Sequence, residues 1–319
     1  MAIVTPAPRG SRAGNRTTAL RWAGLLRQLG ATVRVVDRWQ GERCDLLVAV
    51  HAVKTMPSVH AAAAALPGLR IVVLLAGTDI YPTFQPEPDV LRALERADAL
   101  VGLQPHATAT LPPNLQPKVR TIVQSATASP RTRAAGFRAC VLAHLRPVKD
   151  PLLPIVAMAH VPATVPCELH LAGRALTDEL AAAVRAAEHR DPRVHWHGEL
   201  SRREAKDLLA SSHACIVPSA AEGGANVVSE AIAAGTPVLA TAIPGNLGLL
   251  GADWPATFPV GDARALAALL VRTATDRPFA AALHERVARL QPAFAPASER
   301  AAWRRLLADL GLDGTPGTP

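Results

Sequence analysis

The stretch PSAAEGGANVVSEAIAAGTPVLAT, residues 218–241, decides how this chain is read. A short β-type apolar run ending at Val217 leads through small residues into Glu222-Gly223-Gly224. A helical stretch over 226–234 follows, Gly235 stops it, and an apolar run at 237–240 forms another strand. Strand, turn, helix and strand make the βαβ unit of a parallel sheet.

The same unit carries candidate chemistry. Eight residues of α-helix advance roughly 12 Å and turn a side chain roughly 80° from its start, so Glu222 and Glu230 would line one groove. The helix N-terminus between them offers unsatisfied N–H groups and a positive dipole end, and the glycine pair lets a phosphate approach the backbone. A ligand with the order sugar, diphosphate, ribose fits all three features. Glu222 would accept hydrogen bonds from sugar hydroxyls, the Gly223 and Gly224 amides would hold the diphosphate, and Glu230 would chelate the ribose diol. Two solvated glutamates would give the same spacing; the strand–glycine–helix context favours the binding reading.

Outward from this unit, apolar and amphipathic segments alternate. In the first half, strands are expected at 3–5, 33–36, 46–50, 71–75, 99–103 and 119–123, with helices at 17–29, 58–65 and 89–97. The segment ATASPRTRAAG, residues 126–136, has no periodicity and reads as a linker. Beyond it, strands at 137–143, 167–172, 194–197 and 215–218 alternate with helices at 152–160, 178–189 and 202–211, and helices at 263–275, 278–290 and 298–310 finish the chain. The fold class is therefore α/β, with two Rossmann-like doubly wound domains facing each other across a cleft. The expected divisions are residues 1–130 as an acceptor-side domain, 131–297 as a nucleotide-sugar domain, and 298–319 as a final helix and tail.

Composition agrees. The 319 residues suffice for two cores, and 49% hydrophobic against 3% aromatic residues means that Ala, Leu and Val build them. No apolar run reaches membrane-spanning length, and the start MAIVTPAPRG lacks a signal-peptide pattern, so a cytoplasmic protein without an integral membrane segment is expected. Cys44, Cys140, Cys167 and Cys215 are scattered, with no CxxC and no histidine at ligand spacing, which indicates neither a zinc site nor a disulfide framework. A net charge of +8 invites a nucleic-acid reading, but the arginines are dispersed along helices, and anionic small substrates explain the charge more simply.

Several segments resemble the selenosugar synthases of selenoneine biosynthesis, which are family-4-like glycosyltransferases of B-type architecture. They are GNRTTALRWAGLL (14–26), VHAVK (50–54), LAGTDIY (75–81), QSATA (124–128), AHLRPVKDPL (143–152), PSAAEGGANVVSEAI (218–232) and GTPVLATAIPGNLGLLGADWPATFPVGD (235–262). The doubled glycine followed by Ala225-Asn226 is more specific than the general family-4 pattern. The resemblance implies transfer of a sugar from UDP-N-acetylglucosamine or UDP-glucose to selenophosphate, with hydrolysis of the selenium–phosphate bond to a selenosugar. It also implies that Arg146 and Lys149 grip the donor diphosphate, the competing reading being a solvated basic loop, and that His197 and Leu200 fall in the base-binding loop, which a buried strand end would explain equally well. No cofactor and no metal are expected, consistent with the lack of an Asp-x-Asp triad in the chain.

On the acceptor side, the basic, glycine-containing loop 9–16 leads into a helix N-terminus, where Gly14, Asn15 and Arg16, with Lys54, could hold a small oxyanion. Ordinary surface charges are the competing reading. His51 and Asp79 follow successive strands and could touch the sugar or act as acid or base, or else serve as a satisfied loop histidine and a turn cap. Asn246, after Gly245, is expected to face the sugar or phosphate, or to be a turn residue.

Overall fold

All five residues of Leu46–Val50 are buried although successive side chains of a strand point to opposite faces, so this strand must be covered on both sides. The computed structural model of the chain describes residues 1–11, 13–77, 87–129 and 134–312 and shows how. Two units form: Met1–Gln124 with Pro296–Pro319, and Ser125–Ala295. The expected boundaries were 130/131 and 297/298, whereas these units divide at 124/125 and 295/296, and the last segment joins the first unit.

The first unit contains β1 (Ala2–Val4), α1 (Gly14–Gln28), β2 (Arg34–Val36), β3 (Leu46–Val50), α2 (Ala52–Ala65), β4 (Arg70–Leu75), α3 (Pro88–Arg96), β5 (Ala99–Gly102) and β6 (Val119–Thr121). Its sheet runs β2-β1-β3-β4-β5-β6, and every pairing is parallel. Alternate residues separate into two cores. Leu47, Ala49, Ile71 and Val73 pack on one side with Val59 and Leu94, while Leu46, Val48, Val72 and Leu74 pack on the other with Trp22 and Leu26.

The second unit contains β7 (Phe137–Leu142), α4 (Leu153–Met158), β8 (Cys167–Ala172), α5 (Asp178–Arg190), β9 (Val194–Trp196), α6 (Arg202–Ser211), β10 (Ala214–Val217), α7 (Asn226–Ala234), β11 (Val238–Thr241), α8 (Pro244–Leu250), β12 (Thr257–Phe258), α9 (Ala263–Thr275) and α10 (Arg277–Leu290). The sheet order is β12-β11-β10-β7-β8-β9, again parallel throughout. Local chemistry fixes several ends. Ser201 and Glu204 form a reciprocal capping box at α6, Asp262 and Asp276 cap α9 and α10, and Gly235 ends α7 at φ +72°, a conformation that favours glycine.

The chain then returns to the first unit as α11 (Pro296–Asp309). Trp303 meets Trp22 edge to face at 4.8 Å, and the buried Glu299 accepts hydrogen bonds from Trp22 Nε1 at 2.7 Å and from Arg21. Among the described residues, no helix is long and apolar enough to cross a membrane.

Several elements differ from the sequence expectation, among them the short strand β12, which was not expected. Helix α1 starts at Gly14 rather than 17, and α2 starts at Ala52 rather than 58. Helix α2 passes through Pro57, which removes one backbone donor, and gains a start from the His51 ring and the Thr55 hydroxyl. Helix α8, with Pro244 at its first position, was not expected.

Candidate functional site

In an open parallel sheet, ligands bind beyond the carboxyl ends of the strands where the strand order reverses. Each unit has one such point: between β1 and β3 in the first, and between β7 and β10 in the second. The chain leaving β7 carries Arg146 and Lys149, and the chain leaving β10 carries Glu222, Gly223 and Gly224. The chain leaving β1 leads to Gly14, Asn15 and Arg16, and the chain leaving β3 carries His51 and Lys54.

At the second unit's switch point the two exit loops are stitched together. The Ala220 amide donates to the Val148 carbonyl at 2.9 Å, and a 3-10 turn, Pro147–Lys149, aims Lys149 at the other loop. Lys149 Nζ donates to Glu222 Oε1, and the Ser219 hydroxyl donates to the same oxygen at 2.6 Å. Glu222 is 9% exposed, so its charge is held by a cation and a hydroxyl rather than by bulk water.

Behind Ser219 stands a buried chain of polar groups. Thr241 Oγ1 donates to the Ser219 carbonyl at 2.6 Å, and Asn246 Nδ2 donates to both Thr241 O and Thr241 Oγ1 at 3.0 Å. Two glycines permit this closeness. A Cβ on Gly245 would lie 2.0 Å from the Glu222 carbonyl oxygen, and one on Gly173 would lie 1.8 Å from the Ala143 carbonyl oxygen, where the β7 and β8 exits meet.

Helix α7 opens at Ala225 without a side-chain cap, and its first turn has no acidic residue. Its first amides, with those of Gly223 and the positive-φ Gly224, form an anion-receptive backbone. Arg146 is partly exposed; its carbonyl accepts from the Lys149 amide at 2.9 Å, and its guanidinium has no hydrogen bond or ion pair among the described residues. Glu230 lies partly buried on α7. The helical distance and rotation expected between Glu222 and Glu230 do not apply, because Glu222 precedes the helix in the loop and only Asn226 onward is helical.

At the first unit's switch point, α1 likewise opens without a side-chain cap, at Ala13. The earlier start puts Gly14, Asn15 and Arg16 in the first helical turn, where amides lack intrahelical partners. Arg16 is 7% exposed; its NH1 donates to Asp37 at 3.2 Å, while its Nε has no partner among the described residues. His51 is buried at φ +95°, a left-handed conformation unusual for a residue other than glycine. Its Nδ1 accepts from the Lys54 amide at 3.4 Å and its carbonyl accepts from the Thr55 hydroxyl at 2.7 Å, while the Lys54 side chain is exposed.

Other expected residues fall elsewhere or beyond description. Asp79 lies outside the described residues. Asn246 is fully buried and its amide nitrogen is spent on Thr241, so it supports the Glu222 loop from behind. His197 is exposed just past β9, with its Nε2 against His170 Nδ1 at 2.9 Å, and Leu200 is partly exposed before α6. Ser219, Thr241 and Gly245 were not singled out by sequence reasoning. Small residues at strand exits are common, and only the close approach in the fold distinguishes these three.

Solved structures share this architecture. The chain is similar to the Anabaena HepE structure in complex with UDP, with a TM-score of 0.78 and 17% identity over 97% of this chain and 100% of that one. It is similar to sucrose-phosphate synthase from Thermosynechococcus elongatus, with a TM-score of 0.81 and 17% identity over 98% and 99% of the two chains. The pneumococcal O-GlcNAc transferase GtfA, in complex with UDP and GlcNAc, matches with a TM-score of 0.66 and 16% identity, covering 92% of this chain and 60% of that one. These likenesses bear out the two-domain α/β fold of B-type glycosyltransferases. No curated protein matches the chain. Residues 137–276, which hold the β7 and β10 exits, match the family described as glycosyl transferases group 1.

Proposed function

We propose that this chain is a glycosyltransferase that moves a sugar from a UDP-sugar to selenophosphate, with later loss of phosphate to give a selenosugar. The observation that carries the donor half is Glu222, fixed by Lys149 and Ser219 beside an uncapped helix N-terminus at a switch point. That this lies in the segment similar to glycosyl transferases group 1 supports the reading, as does the solution of HepE with UDP-glucose.

In this reading the Gly223, Gly224, Ala225 and Asn226 backbone and the Arg146 and Lys149 side chains neutralise the departing diphosphate, so that no metal is assigned to the transfer. Glu222 accepts from the sugar hydroxyls, Glu230 from the ribose, and the segment from His197 to Leu200 borders the base. UDP-N-acetylglucosamine and UDP-glucose are the donors proposed.

The acceptor half rests on the sequence resemblance and on the first switch point. The α1 amides of Gly14, Asn15 and Arg16, the Arg16 guanidinium and Lys54 bind the phosphate oxygens. Selenophosphate presents a polarisable selenium anion at neutral pH, so its attack on the anomeric carbon needs no strong general base. The carbon–selenium bond forms as the carbon–oxygen bond to UDP breaks. Water then attacks phosphorus, the selenium–phosphorus bond breaks, and inorganic phosphate leaves the selenosugar. His51 and Asp79 are the proposed acid–base groups for phosphate release.

The test is UDP release from UDP-N-acetylglucosamine and from UDP-glucose, each with and without fresh selenophosphate, with the product identified by its selenium isotope pattern. Selenium-dependent release with a selenosugar product is expected. Release with water alone, release only with a hydroxyl acceptor, or tight UDP-sugar binding without turnover would each replace the selenophosphate assignment.

A further inference from the structure

Strands β8 and β9 carry a polar cluster separate from the β7 and β10 exits. Residues two apart on a strand share a face, and Glu168 and His170 do so on β8, as do His195 and His197 along β9 and its exit. The parallel register sets His170 beside His195, with ring centroids 4.6 Å apart. His170 is 7% exposed, and both its nitrogens are engaged. Nε2 lies 3.1 Å from Glu168 Oε2, and Nδ1 lies 2.9 Å from His197 Nε2.

We infer that Glu168, His170 and His195 form a binding site for a divalent transition-metal ion of the zinc class. One ligand atom from each of the three lies within 4.8 Å of the other two. Ligands on a tetrahedral zinc with bonds of about 2.1 Å stand roughly 3.4 Å apart, a little more than the 3.1 Å between Glu168 and His170. His195 is only partly buried, which leaves its ring room to turn toward the ion. Two imidazoles and a carboxylate select zinc, cobalt, nickel or copper over magnesium and calcium. Three protein ligands leave a coordination position for water.

His197 has a defined part in this site. With a metal on His170 Nε2, the proton of that ring sits on Nδ1 and donates to His197 Nε2, which fixes ring orientation and ligand basicity. Without metal, the reverse pair of tautomers satisfies the same contacts, with Nε2–H donating to Glu168 and His197 Nε2–H donating to His170. Each ring keeps one proton in both states. Arg138 NH2, 3.9 Å from Glu168 Oε2, is a cation that opposes the ion.

The site is tested on the metal-free full chain by titration with Co²⁺ followed by visible absorption, then by Zn²⁺ competition. One equivalent with tetrahedral-type d–d bands, bleached by Zn²⁺, is expected. Glu168→Gln and His195→Ala, both at positions that are not buried, each weaken Zn²⁺ binding at least about tenfold, and His197→Ala weakens it by roughly 10- to 100-fold. Arg138→Gln tightens binding. The site does not exist if the d–d bands fail to appear, or if the Glu168→Gln/His195→Ala double variant binds metal as the parent does. The readout is independent of turnover, so it stands apart from the glycosyl-transfer reading.

Discussion

At the β7/β10 switch point a buried carboxylate is gripped by Lys149 and Ser219 and backed by a Thr241–Asn246 chain, whereas at the β1/β3 switch point the candidate recognition groups are mostly backbone. The first unit offers an uncapped helix, one buried guanidinium and a histidine in a left-handed conformation. The difference suits two kinds of ligand. A sugar with several hydroxyls needs fixed side-chain acceptors, and a small tetrahedral oxyanion needs converging N–H donors and a cation.

Removal of Glu222 breaks the comparison most severely. Glu222→Ala leaves the Lys149 ammonium without its partner and should cost about 2–4 kcal/mol of transition-state stabilisation, roughly 30- to 1000-fold in kcat/KM. Steady-state UDP release measures this, and a double-mutant cycle with Lys149→Met should show strong non-additivity; additive losses would mean that the two act separately. Next in size is Gly245→Ala, where the new methyl meets the Glu222 carbonyl and the backbone must shift. A loss of about 1–3 kcal/mol in urea unfolding is expected, with a raised donor KM and an unchanged acceptor KM.

On the other side, Lys54→Ala should raise the selenophosphate KM severalfold and leave the donor KM unchanged; equal effects on both would remove Lys54 from the acceptor site. Strain gives a smaller effect with a distinctive sign. His51→Gly should be more stable than His51→Ala by about 1 kcal/mol, because glycine accepts φ +95° without penalty, while both lose turnover if the ring is catalytic. Comparison of denaturant midpoints checks the first half, and turnover the second.

The smallest effect belongs to Asp150, next to Lys149, whose carboxyl burial pushes above its ordinary range. The ionised form is therefore disfavoured in the folded state, and this penalty develops as pH rises from about 4, the ordinary aspartate value. Asp150→Asn keeps tolerance of the left-handed backbone at φ +42° and should raise the melting temperature at pH 7. The gain should vanish as pH falls below about 4. A gain that persists in acid would point to backbone preference instead of charge.

Much of this was legible in the sequence. Period-2 and buried apolar runs marked the strands, and Gly235 marked the end of α7, because these signals are local. The exits of β7 and β10 could be matched to Arg146, Lys149 and Glu222 for the same reason. What could not be read depends on close approach. The burial of Asn246, the need for glycine at 245 and the pairing of Lys149 with Glu222 arise when segments far apart in sequence meet. Helix α8 was obscured by its two glycines, although Pro244 at its first position was a usable signal. The β8 and β9 cluster was not singled out, because Glu168-x-His170 and His195-x-His197 become neighbours only through the strand register.

The return of α11 has a consequence for synthesis. Trp22 bonds to Glu299 across 277 residues of chain, and Trp22 and Trp303 fill one core of the first unit together. A ribosome releases residues 125–295 as one continuous stretch, so the second unit can fold while the first still lacks a helix. The amino-terminal unit must wait with the Trp22 face exposed, and a chain cut short before Pro296 would keep its second sheet and leave that face bare to proteases and chaperones.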